Sequence, residues 1–141
     1  MHIVKSGLAV ILSLATALFL VMVIEGISAI LHPWPEDFRG TFEEIAQQVE
    51  TYPAWVLALL GGVGYGATML VCVFIATRIG HNRNPWHGYG VGVVLFAMVV
   101  INLTQLPYPT WFWVLTFTVL PAAGYFGTKF GANNTLTPDS E

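Results

Sequence analysis

Long apolar stretches alternate with short polar connectors along the chain, and this pattern sets the predicted elements. Four stretches of about 19 residues or more carry no charged residue: 6–24, 54–77, 88–106 and 110–128. At a rise of 1.5 Å per residue, a helix of this length crosses roughly 30 Å of hydrocarbon. Helices of water-soluble proteins show a polar stripe on one face, and these stretches show none. The pattern therefore predicts four transmembrane helices, at about residues 4–31, 54–78, 87–106 and 110–130.

The first connector, residues 32–53, has a helical pattern of its own. Thr41 and Glu44 have the spacing of a capping box, in which the two side chains satisfy free backbone N–H groups at the start of a helix. The apolar residues that follow share one helical face: Phe42, Ile45, Ala46 and Val49. The connector therefore predicts a short amphipathic helix at about 42–50 that lies on the outer membrane surface or across the mouth of the bundle. Two interpretations stay open, a surface connector or a lid whose carboxylates collect cations.

The basic residues predict how the chain is threaded. Most of them fall on one side of the membrane if the spans alternate: Lys5, Arg78, Arg83 and Lys129. Arg39 falls on the other side. Because short loops rich in Lys and Arg stay in the cytoplasm, both termini are expected to be cytoplasmic. The predicted fold class is all-α, a four-helix transmembrane bundle with a short extracytoplasmic amphipathic helix, forming one domain at 1–131 with a disordered tail at 132–141.

Composition agrees with a membrane location and narrows the function classes. Charged residues make up 9% of the chain and hydrophobic residues 55%, whereas soluble domains carry about 25% charged residues. The net charge of −3 gives no indication of nucleic-acid binding. With a single cysteine and no recognisable metal or nucleotide motif, the chain predicts no metal site and no cofactor. The expected partners are the lipid bilayer and either other copies of the chain or a larger membrane complex, because four helices around one axis leave little room for an aqueous path.

Small residues at intervals of four predict where the helices pack closely. In lipid, such residues let two backbones approach, and van der Waals contact replaces the missing hydrophobic drive. The predicted packing positions lie in the second, third and fourth spans: Ala58, Gly62, Gly66, Gly88, Gly92 and Gly127.

Glu25 is the one ionisable side chain placed well inside a predicted span. It lies six residues before Leu31, about 9 Å below the outer end of the helix. A charge at mid-membrane costs on the order of 2.5–3.5 kcal/mol, so such residues usually face a partner or water. Ser28 and His32 follow on the same helical face. Polar residues at a similar depth in the third and fourth spans complete the candidate polar site: Asn102, Gln105 and Thr116.

Glu25 is expected to hydrogen-bond to Asn102 or to another of these groups. Without a cation beside it we expect a protonated carboxyl group, because desolvation disfavours the charged form. Three roles stay open for Glu25: a structural hydrogen-bond bracket between helices, a proton or cation site in a transport path, and a catalytic acid or base.

Two function classes follow from these roles. The first is a non-enzymatic membrane protein, either an accessory subunit or a small oligomeric transporter or channel with its polar site around Glu25. The alternative is a membrane-embedded enzyme that uses Glu25 and His32 as acid and base on a lipophilic substrate. The enzyme needs a cavity lined by both residues, whereas the transporter needs a polar path that continues toward the inner side.

Several short motifs carry a resemblance: Glu25-Gly26 late in the first span, "HPWP" after it, the Gly-rich second span and "LPYPTWF" before the fourth. In these the chain resembles a loose group of small four-span bacterial inner-membrane proteins. The resemblance covers most of the chain and implies the four-span architecture and a bacterial inner (cytoplasmic) membrane, but no activity. The chain lacks the Arg- and Asn-rich signature of the four-span family of glutathione- and eicosanoid-handling enzymes, so we do not assign it there.

Overall fold

A computed structural model describes residues 2–133, and these residues form helices and connecting turns without any strand. The main helices are α1 (His2–Leu31), α2 (Phe42–Thr51), α3 (Ala54–Ile79), α4 (Pro85–Gln105) and α5 (Thr110–Ala132). A short 3-10 turn, His81–Arg83, joins α3 to α4. The prediction of an all-α fold is confirmed for this part of the chain.

Three of these helices are long and apolar enough to cross a membrane, namely α1 from Val4 to Leu31, α3 and α4. The fourth predicted span forms α5, which has 23 residues and is long enough. Its mean hydropathy is lowered by its threonines, its tryptophans, Tyr125 and Pro121. By composition, α5 is therefore less apolar than the three helices that meet the requirement for a membrane span.

The helices begin and end where local signals place them. The capping box expected from Thr41 and Glu44 is present at the start of α2. At the start of α4, the Asn84 side chain accepts a hydrogen bond from the Trp86 backbone N–H, and Pro85 occupies the first helical position. The sequence predicted a disordered tail from residue 132, but Ala132 is the last residue of α5. The carbonyl of Asn133 accepts a hydrogen bond from the Arg78 side chain at 3.0 Å. Residues 134–141 lie outside the described part of the chain.

Helix α3 lies at the centre of the fold. Helices α1, α4 and α5 all pack on it, and its contact with α5 is the most extensive. Glycine makes this contact close: a Cβ added at Gly127 would lie 2.5 Å from the Leu70 backbone oxygen, and one added at Gly66 would lie 2.7 Å from Val119 Cγ1. A Cβ at Gly61 would come within 2.6 Å of Phe112 Cζ. We call this glycine-lined contact between α3 and α5 the seam.

The remaining predicted packing positions differ in how crowded they are. Gly88 lies against Thr77 and Thr128, and its added Cβ would lie 2.9 Å from Thr128 Oγ1. At Gly92 the nearest atom would be Val73 Cγ2 at 3.3 Å, and at Gly62 it would be Leu115 Cδ2 at 3.7 Å. Ala58 is exposed in the single chain.

Helix α1 presents a face of mainly small residues to the rest of the fold. Its buried residues follow a helical spacing: Ala9, Ser13, Ala17, Ile24 and Ser28. In the middle of this face, Ser13 Oγ donates a hydrogen bond to the Cys72 carbonyl of α3 at 2.7 Å. Near the N-terminal end, His87 Nε2 lies 2.8 Å from Ser6 Oγ. Helix α1 is therefore fixed to α3 along one side and to the start of α4 at one end.

The first half of α3 contains a π-helical segment, Leu59–Tyr65, that the sequence did not predict. Such segments are rare in helices and occur often at functional sites. Gly61, Gly62 and Gly64 lie inside it, and glycine tolerates the wider backbone because it has no Cβ. Phe112 of α5 fills the space at Gly61, so the seam continues through this segment.

Candidate functional site

A groove separates α1 from α4, which touch each other far less than each touches α3. It has a volume of about 440 Å³. Most of the residues that line it are apolar: Leu14, Ala17, Leu18, Val21, Met69, Val94, Leu95, Met98, Val99 and Leu120. The buried Met69 of α3 and Leu120 of α5 form the floor of the groove, and side chains of α1 and α4 form its walls. Leu18 of α1 and Met98 of α4 are more than half exposed, so the groove opens sideways between α1 and α4.

The polar residues of the groove lie toward one end. Glu25 of α1, Tyr65 of α3 and Asn102 of α4 belong to the halves of these helices that lie nearest to α2, with Tyr65 close to the middle of α3. Thr68, one turn further along α3, donates its hydroxyl hydrogen to the Gly64 carbonyl at 2.9 Å. From Leu14 to Glu25 the groove follows α1 for about 16 Å at 1.5 Å per residue, and the half that begins at Leu14 is apolar.

Glu25 lies at an accessible position on the wall of the groove. Asn102 lines the opposite wall, so the structure brings these two predicted residues to one site. The expected hydrogen bond between them is not formed, because the groove keeps α1 and α4 apart. Within residues 2–133, no side chain hydrogen-bonds to the carboxyl group of Glu25, and no ion pair joins it to Arg39.

Ser28 and His32 belong to a separate cluster that attaches α2 to the end of α1. The Ser28 hydroxyl hydrogen-bonds to the Tyr52 hydroxyl. His32 Nε2 lies 2.8 Å from Thr51 Oγ1, and the His32 ring lies 4.7 Å from the Tyr52 ring between centroids. Gln48 Nε2 donates to the Pro33 carbonyl at 3.2 Å. His32 therefore does not line the groove with Glu25, although the two share a helical face in sequence.

The start of α2 carries its own electrostatic feature. Glu44 Oε2 accepts from the Thr41 backbone N–H at 3.1 Å and from the Arg39 backbone N–H at 2.9 Å. These hydrogen bonds favour the ionised carboxylate and lower the pKa of Glu44 below its ordinary value. The loop before α2 is thereby fastened to the helix that follows it.

The last two predicted polar residues lie elsewhere. Gln105 is exposed at the end of α4 and does not line the groove. Thr116 is fully buried in α5, and its Oγ1 has no hydrogen-bond partner among the described residues. Thr116 is thus a buried polar group of the core, four residues after Phe112 on the α5 face that packs in the seam.

Tyr65 and Thr68 are groove residues that the sequence did not single out. Both lie in or next to the Gly-rich part of α3, where glycine was the prominent signal. A tyrosine three residues before a threonine on one helical face was the available indication of a polar lining.

A second cavity of about 310 Å³ lies between the end of α2 and the turn that joins α4 to α5, with Glu50, Tyr52 and Trp111 among its lining residues. Among residues 2–133, no three His, Cys, Asp or Glu side chains are grouped so that they could hold a metal ion. No family model, curated protein or solved structure matches the chain. The geometry of the groove therefore carries the functional argument.

Proposed function

We propose that the chain is an integral membrane protein with four spans, and that its groove holds one lipid-like molecule admitted sideways from the bilayer. The observation that carries this proposal is the groove itself, open between α1 and α4, apolar over most of its length and polar toward one end. Cavities of this shape suit a molecule with one hydrocarbon chain and a small polar head. The protein would then act as a binding or accessory module and not as an enzyme.

Exposed apolar side chains support insertion in a bilayer. Met22 is 73% exposed and Ile30 80% exposed on α1, and Val93 is 68% exposed on α4. Apolar surface of this extent on a soluble protein would drive aggregation. From Trp55 to Arg78, α3 spans about 35 Å, which fits an interfacial tryptophan at one end, a cation at the other and roughly 30 Å of hydrocarbon between them.

The orientation we propose places both termini in the cytoplasm of a bacterial inner membrane and α2 outside, following the distribution of Lys and Arg. Single cysteines introduced as Asp37→Cys and Asn82→Cys test it, since the native Cys72 is buried. In right-side-out membrane vesicles, a membrane-impermeant maleimide should label position 37 at once and position 82 after permeabilisation alone. The reverse order of labelling would contradict this orientation.

A proton or ion path through the single chain has less support. Toward the cytoplasmic end two buried hydroxyl groups of the core donate to backbone carbonyls, Ser13 to Cys72 and Thr77 to Val73. The buried Thr128 Oγ1 has no partner among the described residues, and Thr128 does not line the groove. The groove wall from Leu14 to Val21 is apolar. A transport role would therefore require several copies of the chain with the path between them.

An acid–base enzyme that uses Glu25 together with His32 also has less support. Catalytic groups must reach one substrate at hydrogen-bond distance. His32 is engaged by Thr51 and packs on Tyr52, outside the lining of the groove.

Assembly with other helices is part of the proposal. A Cβ added at Gly90 on α4, or at Gly7 or Gly26 on α1, would meet no atom within 4 Å. Together with the exposed Ala58, these positions offer small surfaces on which a second copy or another subunit could pack closely.

Photolabelling tests the groove directly. The protein is placed in nanodiscs of a zwitterionic phospholipid with a straight-chain alcohol that carries a diazirine in its chain, and labelled peptides are mapped by mass spectrometry. Labelling should concentrate on the groove residues of α1 and α4. Val94→Trp, which fills the groove at a half-exposed position, should reduce this labelling severalfold.

Val93→Trp is the matched control, because Val93 lies next in sequence and outside the groove lining. Labelling of groove peptides should be the same in this variant as in the wild type. Labelling spread evenly over all exposed apolar faces, or equal loss in both variants, would overturn the proposal that the groove binds a chain.

A further inference from the structure

The polar end of the groove has one acidic group and no basic one among the described residues that line it. Glu25, Tyr65 and Asn102 each bring an oxygen that can accept a hydrogen bond. No hydrogen bond within residues 2–133 engages any of these three side chains. The groove thus presents hydrogen-bond acceptors that no donor in the described part of the chain occupies.

An acidic group in apolar surroundings selects the charge of what binds beside it. An anionic head group would face the carboxyl group of Glu25 without a Lys, Arg or His in the lining to balance it. A cationic amine supplies both the opposite charge and several N–H donors. Arg39, the one Lys or Arg in the connector between α1 and α3, forms no ion pair with Glu25.

We propose that the groove selects single-chain amphiphiles with a primary amine head group, with the Glu25 carboxylate as counter-ion and with Asn102 and Tyr65 as further acceptors. This inference rests on the proposed function, since the hydrocarbon chain of the ligand lies in the apolar part of the groove. The cationic head supplies the partner that residues 2–133 do not provide to Glu25. Fatty acids and other anionic amphiphiles of the same chain length bind more weakly, because no basic residue among the described lining residues balances their charge.

Three photoprobes with the same diazirine-bearing chain and different head groups test this selection: a primary amine, an alcohol and a carboxylate. In nanodiscs of a zwitterionic phospholipid, half-maximal labelling of groove peptides should require about tenfold less amine than carboxylate, equivalent to about 1.4 kcal/mol. The alcohol should fall between them. In Glu25→Gln, the preference for the amine should disappear while labelling by the alcohol remains.

Glu50→Gln is the matched control, because it removes the same charge from an exposed residue of α2 outside this groove. The preference for the amine should persist in this variant. Equal labelling by all three head groups in the wild type, or an amine preference that survives in Glu25→Gln, would overturn the inference and leave the proposed chain binding intact. Absence of groove labelling by all three probes would instead overturn the proposed function.

Discussion

The seam and the groove are both formed by long and mainly apolar helices, yet these helices pack in opposite ways. In the seam, glycine lets α5 approach α3 so closely that a Cβ at Gly127 would lie 2.5 Å from a backbone oxygen. Between α1 and α4 a cavity of about 440 Å³ remains. The difference arises because α1 turns its small residues toward α3 and its larger ones away from it.

Polar contacts hold α1 in this position. His87 binds Ser6 near one end, Ser13 binds the Cys72 carbonyl in the middle, and Ser28 binds Tyr52 near the other end. Helix association in lipid relies on packing and interhelical hydrogen bonds, because lipid tails are as apolar as the side chains. A helix fixed along one side by such bonds can leave its other side open, and this is where the candidate site lies.

The largest effect on stability is expected where a glycine of the seam packs directly against the backbone of the other helix. Gly127→Ala places a methyl group against the Leu70 backbone, which cannot rotate away, so we expect a loss of about 3 kcal/mol, the upper end of ordinary overpacking. Gly26→Ala is the matched control, since its Cβ would meet nothing within 4 Å and helix propensity should raise stability by about 0.5–1 kcal/mol. Unfolding in mixed detergent micelles followed by circular dichroism measures both. Similar stabilities for the two variants would show that the seam is not close-packed.

A smaller effect on stability is expected where a glycine of the seam packs against a side chain. Gly61→Ala meets the ring of Phe112, with Cζ at 2.6 Å, which is a side chain and not backbone, so we expect a smaller loss of about 1–2 kcal/mol. Phe112→Leu makes room for the new methyl group, and the double variant should therefore be more stable than the sum of the two single losses predicts. A double-mutant cycle from the same unfolding measurements gives the coupling. Strict additivity would contradict the contact.

A gain is expected at the unpartnered hydroxyl beside Phe112. Thr116 is fully buried and its Oγ1 has no partner in the described chain, so Thr116→Val removes a buried polar group at nearly constant volume. We expect stabilisation by about 1 kcal/mol. Thr77→Val, which deletes a hydroxyl that donates to the Val73 carbonyl at 2.9 Å, should give no gain. A loss of stability in Thr116→Val would indicate that the hydroxyl has a partner.

The seam was partly foreseeable from the sequence and the groove was not. Gly66 and Gly127 stood out because their spacing places small residues on one helical face, which is a local property. The groove depends on how far α1 lies from α4, a non-local result of which α1 face packs on α3. The Ala9, Ser13 and Ala17 repeat in α1 carried this information.

The candidate polar site shows the same limit. Helical spacing placed Ser28 and His32 on the face of Glu25, and this rule holds within one helix. Their partners, Tyr52 and Thr51, come from the end of α2, and the return of α2 onto α1 cannot be deduced from the spacing. Asn102 and Glu25 both line the groove because they lie at a similar depth in the two helices on either side of its opening.

A local effect of pH is expected in α2, which is attached to α1 and lies apart from the seam. Because the folded pKa of Glu44 is lowered, its contribution is fully present above the ordinary glutamate pKa of about 4.3 and is lost as the pH falls through the folded value. Hydrogen exchange of the α2 amides should therefore become faster, relative to that of the seam, in acid. In Glu44→Gln this acid-dependent part should be absent. An acid response that is equal in wild type and variant would assign it to other groups.

The smallest effect is expected from the largest substitution. Val94→Trp adds a whole ring system to the wall of the groove, where Val94 is 48% exposed and open space is available. The unfolding free energy should change by less than about 0.5 kcal/mol, as for surface positions, while the methyl group added by Gly127→Ala costs several times more. The same detergent unfolding measurement compares the two. If Val94→Trp were as costly as Gly127→Ala, the space between α1 and α4 would be packed in solution, and no chain could enter it.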